Sequence, residues 1–156
     1  MTTSIAINGF GRIGRMVFRQ MIMEEDIIIV AVNASYPSET LAHLLKYDTN
    51  HGTFEGEIIA EKDALVVNGK RVQLVSDRNP LKLPWEKLGV DIVIEATGKF
   101  NSRDKAALHL VAGAKKVILT APGENEDLTI YFDVTDDKLI LKKQKVIEMA
   151  IFTQNF

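Results

Sequence analysis

The stretch that most constrains this chain is Ile5-Ala6-Ile7-Asn8-Gly9-Phe10-Gly11-Arg12-Ile13-Gly14-Arg15. An apolar strand runs into a glycine-rich turn, and a helix starts inside the glycines. Ile13, Met16, Val17, Met21 and Ile22 recur at helical spacing and carry that helix to about Glu24. Gly9, Gly11 and Gly14 fit the G-x-G-x-x-G fingerprint of a dinucleotide site. Gly9 permits a tight turn, Gly11 lets the backbone approach a pyrophosphate, and Gly14 lets the helix pack on the strand. The N–H groups and positive dipole end of the helix then face the phosphates. The same pattern without a ligand is a plain strand-to-helix turn. Its placement between a strand and an amphipathic helix favours nucleotide binding. Asn8, Gly9, Phe10, Gly11, Arg12 and Ile13 are therefore the first cofactor-binding candidates.

Residues 27–32 form a continuous, β-branched apolar run, as in a parallel strand covered on both faces. They complete a βαβ unit. A NAD site places an acidic residue at the end of this second strand, where it holds the ribose hydroxyls. Here the strand ends Val32-Asn33-Ala34-Ser35, without a carboxylate. Glu24, Glu25 and Asp26 sit at its opposite end and read as charges facing water. Without the carboxylate, nothing at that position repels a 2′-phosphate, to which Asn33 and Ser35 could donate hydrogen bonds. The expectation is that NADP is tolerated or preferred. The alternative is a NAD site holding ribose through Asn33 and backbone groups.

The rest of the chain repeats the theme. Pro37-Ser38-Glu39 opens a second helix with Ser38 as its N-cap. His43 on that helix and His51 near Asp48 read as scaffold, since no nucleophile or metal ligand set accompanies them. Residues 55–76 read as a β insertion, with Asn68-Gly69 as a type I′ hairpin signal. Arg78 is either an adenosine contact or a solvated turn residue, and Trp85 reads as packing. Residues 90–95 form a buried strand ending Ala96-Thr97-Gly98-Lys99-Phe100, with small residues at the edge where ligands sit. Ser102 caps a helix in which His109 reads as an ordinary residue. Residues 116–119 form another strand, ending at Thr120-Ala121-Pro122-Gly123. Residues 129–132 and 146–152 read as strands, 136–141 as a short helix and 142–145 as a basic solvated loop.

With 156 residues, the chain reads as one domain with a real core. A net charge of −2 argues against a general nucleic-acid binder, which is strongly basic. The absence of cysteine excludes disulfides, thiolate metal sites and a cysteine nucleophile within these residues. No apolar run reaches membrane-spanning length, and no basic leader precedes the first strand, so the expectation is a cytoplasmic protein.

Several stretches carry a more specific likeness. They are Ile7 through Arg15, Thr40-Leu41-Ala42-His43-Leu44-Leu45-Lys46-Tyr47-Asp48, His51-Gly52, Val67-Asn68-Gly69-Lys70, Glu95-Ala96-Thr97-Gly98, Ala112-Gly113-Ala114-Lys115-Lys116-Val117 and Ala121-Pro122-Gly123, continued by Asn125-Glu126-Asp127. Taken together they resemble the nucleotide-binding half of the glyceraldehyde-3-phosphate dehydrogenase family, which includes erythrose-4-phosphate dehydrogenase. The resemblance implies a Rossmann-type doubly wound α/β fold, mainly parallel, with a small β-hairpin insertion. It also implies NADP or NAD as cofactor. Asn33-Ala34-Ser35-Tyr36 looks like the NADP-using branch, where most members have Asn-Asp. By the same likeness Arg12 and Ile13 give backbone contacts to the pyrophosphate, and Ala34 sits beside the adenosine ribose. Arg78 lies along the adenine, Thr97, Gly98 and Phe100 line the cofactor, and Thr120 lies near the nicotinamide end. His43 and His51 are scaffold on this reading too, because the family's catalytic histidine lies in a later domain.

The likeness decays after Ile130, which makes residues 131–156 a divergent tail of a single domain spanning 1–156. The family's nucleophile lies in Ser-Asn-Ala-Ser-Cys-Thr-Thr-Asn. Aligned without gaps, that motif falls on Glu148-Met149-Ala150-Ile151-Phe152-Thr153-Gln154-Asn155, with Phe152 at the cysteine. A phenyl ring cannot form the thioester the family's mechanism needs. The expectation is a cofactor-binding domain without turnover of its own, with no catalytic residue and no metal site. Its rivals are half of a split enzyme and a regulatory or structural paralogue that joins itself or an intact dehydrogenase subunit.

Overall fold

In the computed structural model, residues 2–49, 51–99, 107–122, 128–130 and 146–148 are described, and nine strands link into one sheet. β1 (Thr3–Asn8), α1 (Arg12–Met21) and β2 (Ile27–Asn33) form the opening unit, with β1 and β2 parallel. α2 (Ser38–Lys46) leads to β3 (Ile58–Glu61), β4 (Ala64–Val67) and β5 (Lys70–Val75). A 3-10 turn at Pro80–Lys82 precedes β6 (Ile92–Glu95). α3 (Leu108–Val111), β7 (Lys116–Pro122), β8 (Leu128–Ile130) and β9 (Val146–Glu148) follow.

The strand order is β3-β4-β5-β2-β1-β6-β7, and β7 pairs at its far edge with both β8 and β9. β5, β2, β1, β6, β7 and β9 are mutually parallel neighbours, while β3, β4 and β8 pair antiparallel. The chain steps outward from β1 to β2 and later returns to β1's other side with β6. That reversal is the topological switch of a doubly wound sheet, and it opens a crevice at the carboxyl ends of β1, β2 and β6.

Side-chain alternation along the strands feeds two cores. Ile5 and Ile7 of β1 join Val17 and Phe18 of α1 and Leu41 and Leu45 of α2 on one face. Ala6 joins Trp85, Val90, Val93 and Val117 on the other. Phe10, just after β1, meets Phe18 edge-on with ring centroids 5.5 Å apart. Arg19 fastens α1 to the end of α2, donating to the carbonyls of Leu45, Lys46 and Gly52 at 2.7 to 3.2 Å. These carbonyls are the acceptors a helix terminus leaves open or lie just beyond it.

Three sequence expectations change. The 55–76 stretch is not wholly an insertion. β5 is the third parallel strand of the main sheet, paired with β2 through Ala31–Gln73, Val32–Leu74 and Asn33–Val75, and only β3 and β4 extend it as an antiparallel ribbon. Alternation within each strand cannot reveal which neighbour it takes. The hairpin at Asn68-Gly69 is there, with φ of 53° and 81°, the two positive angles a type I′ turn requires. α1 ends at Met21, three residues short of Glu24. Ser38 is the first helical residue, and Pro37 is the N-cap. Phe100, Ser102, residues 131–145 and residues 149–156, including Phe152, lie outside the described residues. β9 coincides with the start of the expected 146–152 strand. No helix among the described residues is long and apolar enough to cross a membrane.

Candidate functional site

The crevice is a cleft of about 280 Å³. Asn8, Gly9, Phe10 and Gly11 contribute one wall, Asn33, Ala34 and Ser35 another, and Arg78 and Thr97 complete this part of the lining. These nine site residues, drawn from four separate parts of the sequence, are thus brought together. Arg12, Ile13, Gly98 and Thr120 are not among the lining residues. Arg12 and Ile13 begin α1, and Gly98 sits in the exposed turn after β6 with φ of 75°. Thr120 is buried, and its hydroxyl donates to the Glu95 carbonyl at 2.7 Å. That proton fastens β7 to β6 and is not on offer to a ligand.

The glycine turn is shaped for an anion. Gly11 caps α1 without a side-chain hydrogen bond, and the first turn holds no acidic residue. The N-terminal N–H groups and the positive helix end therefore face outward unneutralised. A Cβ built on Gly11 meets nothing within 4 Å, so the space before the helix is open. Arg15 also lines the cleft; its Nη1 donates to the Phe10 carbonyl at 2.9 Å, and its buried Nε has no hydrogen-bond partner. Burial draws the Arg15 pKa below the usual arginine value, partly offset by the charge of Asp48. An orphaned cationic donor beside an uncapped helix start fits a bound phosphate.

At the end of β2 there is no carboxylate, and Glu24, Glu25 and Asp26 are exposed at the other end of the strand. Asn33, however, has no hydrogen left to give. Its Nδ2 donates to Asn8 Oδ1 at 2.6 Å and to the Asp77 carbonyl at 2.8 Å, while its Oδ1 accepts the Asp77 N–H at 3.0 Å. The expected Asn33 bond to a 2′-phosphate is corrected on that ground. Asn33 is a wall residue that joins β2 to the turn after β5, and Ser35 and Arg78, both exposed, remain as donors there.

Sequence reasoning missed Arg15, Tyr36, Leu41, Leu44, Asp77 and Lys99 as lining residues. One signal was available for Arg15. A helical side chain leans toward the N-terminus, so a long one at the start of α1 reaches back to the turn. The larger omission is His109. It is completely buried, with Nε2 2.8 Å from Glu95 Oε1 and Nδ1 3.0 Å from the Trp85 indole nitrogen. Glu95, also completely buried, receives Asn8 Nδ2 at 2.5 Å and the Thr97 N–H and hydroxyl at 2.9 and 2.6 Å. The other two histidines, His43 and His51, are not among the lining residues. His51 packs on Asp48 through its backbone N–H at 2.9 Å, and the His43 ring lies 4.9 Å from that of Tyr47. Trp85 is fully buried packing, as its sequence context implied.

Residues 3–103 match the family described as glyceraldehyde 3-phosphate dehydrogenase, NAD binding domain. The chain belongs to that family. It is 56% identical over 155 residues to glyceraldehyde-3-phosphate dehydrogenase 2 of Bacillus subtilis, and 50% identical over 155 residues to the glyceraldehyde-3-phosphate dehydrogenase of Geobacillus stearothermophilus. A third relative, glyceraldehyde-3-phosphate dehydrogenase 2 of Staphylococcus epidermidis, is 48% identical over 156 residues. Each alignment takes in 99% of this chain and 46% of the relative, so the chain spans about half the length of these dehydrogenases. The doubly wound sheet and the cleft at its switch point are those of a Rossmann-type NAD-binding domain in this dehydrogenase family.

Proposed function

We propose that this glyceraldehyde-3-phosphate dehydrogenase-type domain binds a nicotinamide dinucleotide in the switch-point cleft and accepts NADP at least as well as NAD. The observation that carries the reading is the pairing of an uncapped α1 start with a β2 end that bears Ala34 where a carboxylate would discriminate against a 2′-phosphate. Gly9 and Gly11 bring backbone to the pyrophosphate, Arg15 lies behind it, and Ala34, Ser35 and Arg78 surround the adenosine ribose. Asp77, the one carboxylate on that wall, already accepts the Asn79 N–H at 2.9 Å. When bound, the cofactor supplies the hydride acceptor for aldehyde oxidation.

The whole family's chemistry needs a thiolate, and this chain has no cysteine. The chain alone therefore binds cofactor without oxidising glyceraldehyde 3-phosphate, in a cytoplasmic setting. Calorimetric titration with NAD and NADP tests the first half; a NAD constant tenfold tighter than that for NADP overturns it. Phosphate-dependent cofactor reduction by the purified chain overturns the second. The apolar sequence 146–152 motivates association with a second copy or an intact dehydrogenase subunit, which size-exclusion chromatography of the mixture tests.

A further inference from the structure

The side chains beneath the glycine turn, buried at Asn8, Glu95, His109 and Trp85 and half-buried at Asn33 and Thr97, form one chain of hydrogen bonds whose direction is fixed from both ends. At one end the Asp77 backbone N–H must donate, and it meets Asn33 Oδ1. The Asn33 amide hydrogens then go to Asp77 O and Asn8 Oδ1, and Asn8 must present its own N–H to Glu95 Oε1. At the other end the Trp85 indole is a donor only. It meets His109 Nδ1, which is therefore the bare nitrogen, so the imidazole is the neutral tautomer that donates from Nε2 to Glu95 Oε1. The Thr97 N–H and hydroxyl complete four donors on one carboxylate. A buried carboxylate is tolerable when its lone pairs are met in this way.

We propose that Glu95 is a positioning residue for the dinucleotide, acting through Asn8 and Thr97. The inference rests on the cofactor site proposed above. Gly9 shows why position matters here. A Cβ on it would lie 2.8 Å from Thr97 Cγ2 and 3.0 Å from the Ala96 carbonyl carbon, so the turn after β6 presses directly on the glycine turn. Glu95 holds Thr97 by two bonds, and Thr97 Oγ1 in turn accepts the Lys99 N–H at 3.1 Å. Thr97 and Lys99 line the cleft, whereas Glu95, His109 and Trp85 do not. The carboxylate thereby sets the distance between the glycine turn and the turn after β6, and His109, fixed in one tautomer by Trp85, sets the carboxylate.

The test uses the full chain and three variants. In Glu95→Gln an amide nitrogen replaces one acceptor, so either the Asn8 and His109 side or the Thr97 side must part. His109→Leu removes a donor from Glu95 and the acceptor of Trp85, while His109→Gln can restore both. NAD and adenosine affinities are measured by calorimetry, and the protonated nitrogen of His109 by 15N NMR of the parent. The expected result is a tenfold loss of NAD affinity in Glu95→Gln and in His109→Leu, adenosine within twofold, recovery in His109→Gln, and the proton on Nε2. If one variant fails to fold, the other carries the comparison. Equal weakening of both ligands, unchanged NAD affinity in a folded variant, or a proton on Nδ1 overturns the inference. A parent that binds no dinucleotide overturns the proposed function itself.

Discussion

The carbonyl oxygen of Gly9 occupies the space that a Cβ on Gly14 would need. The first turn of α1 thus rides on the backbone of the glycine turn, and neither can shift without the other. Gly14→Ala forces an overlap of backbone with side chain and is expected to cost about 1–3 kcal/mol, read as a lower melting temperature. Gly11→Ala meets open space at φ −75° and should keep stability to within about 1 kcal/mol. Its NAD affinity should nonetheless fall, because the added methyl stands where the pyrophosphate approaches. A Gly11→Ala chain that binds like the parent would remove the phosphate from that position.

Asn33→Asp tests the wall between β2 and β5. The substitution places a second oxygen against the Asp77 carbonyl and Asn8 Oδ1, both of which now accept from Nδ2. Leaving these acceptors facing an anion is expected to destabilise the chain by about 1–3 kcal/mol in urea unfolding. An unchanged midpoint would show that Asn33 is not committed to those two partners.

Ala34→Asp tests cofactor choice. A carboxylate at this half-buried position accepts from ribose hydroxyls and repels a 2′-phosphate. The ratio of NAD to NADP affinity is expected to rise at least tenfold, about 1.4 kcal/mol. Titration of parent and variant with both cofactors measures it, and an unaltered ratio would place the 2′ position elsewhere.

Asp91 gives the pH prediction. It accepts the Ser4 backbone N–H at 2.9 Å and pairs with Lys115 at 3.0 Å, and these contacts, the first foremost, hold its pKa below the ordinary carboxylate value. The Lys115 side chain is 78% exposed, so that part is screened by solvent and salt. A depressed folded pKa stabilises fully above the unfolded value of about 3.9, and the gain is lost as pH falls through the folded one. Asp91→Asn should flatten the loss of stability below about pH 4. Urea midpoints at pH 7 and pH 3 report this, and parallel slopes would count against it.

The sheet, α1 and the cleft's glycine wall were legible because each rests on a local rule. Residues 5–15 contain the strand, the turn and the helix face together. The role of β5 was not, because its own apolar pattern is the same beside β2 as in a detached hairpin. Asn33 was legible as a site residue but not in its bonding, since Asp77 lies 44 residues away. His109 failed for the same reason. On its helix it is a single polar residue, and only the fold brings it against Glu95 and Trp85, 14 and 24 residues distant.

Trp85 is the only tryptophan of the 156 residues, and its indole N–H is given to the imidazole that braces Glu95. The chain therefore carries a built-in optical probe. Any event that turns the His109 ring, adds a proton to it or draws Glu95 away changes the immediate neighbour of the one strongly fluorescent side chain. Emission from the far side of the sheet is in this way wired, through Glu95, to Asn8 and Thr97 of the cleft lining, and no label has to be introduced to watch it.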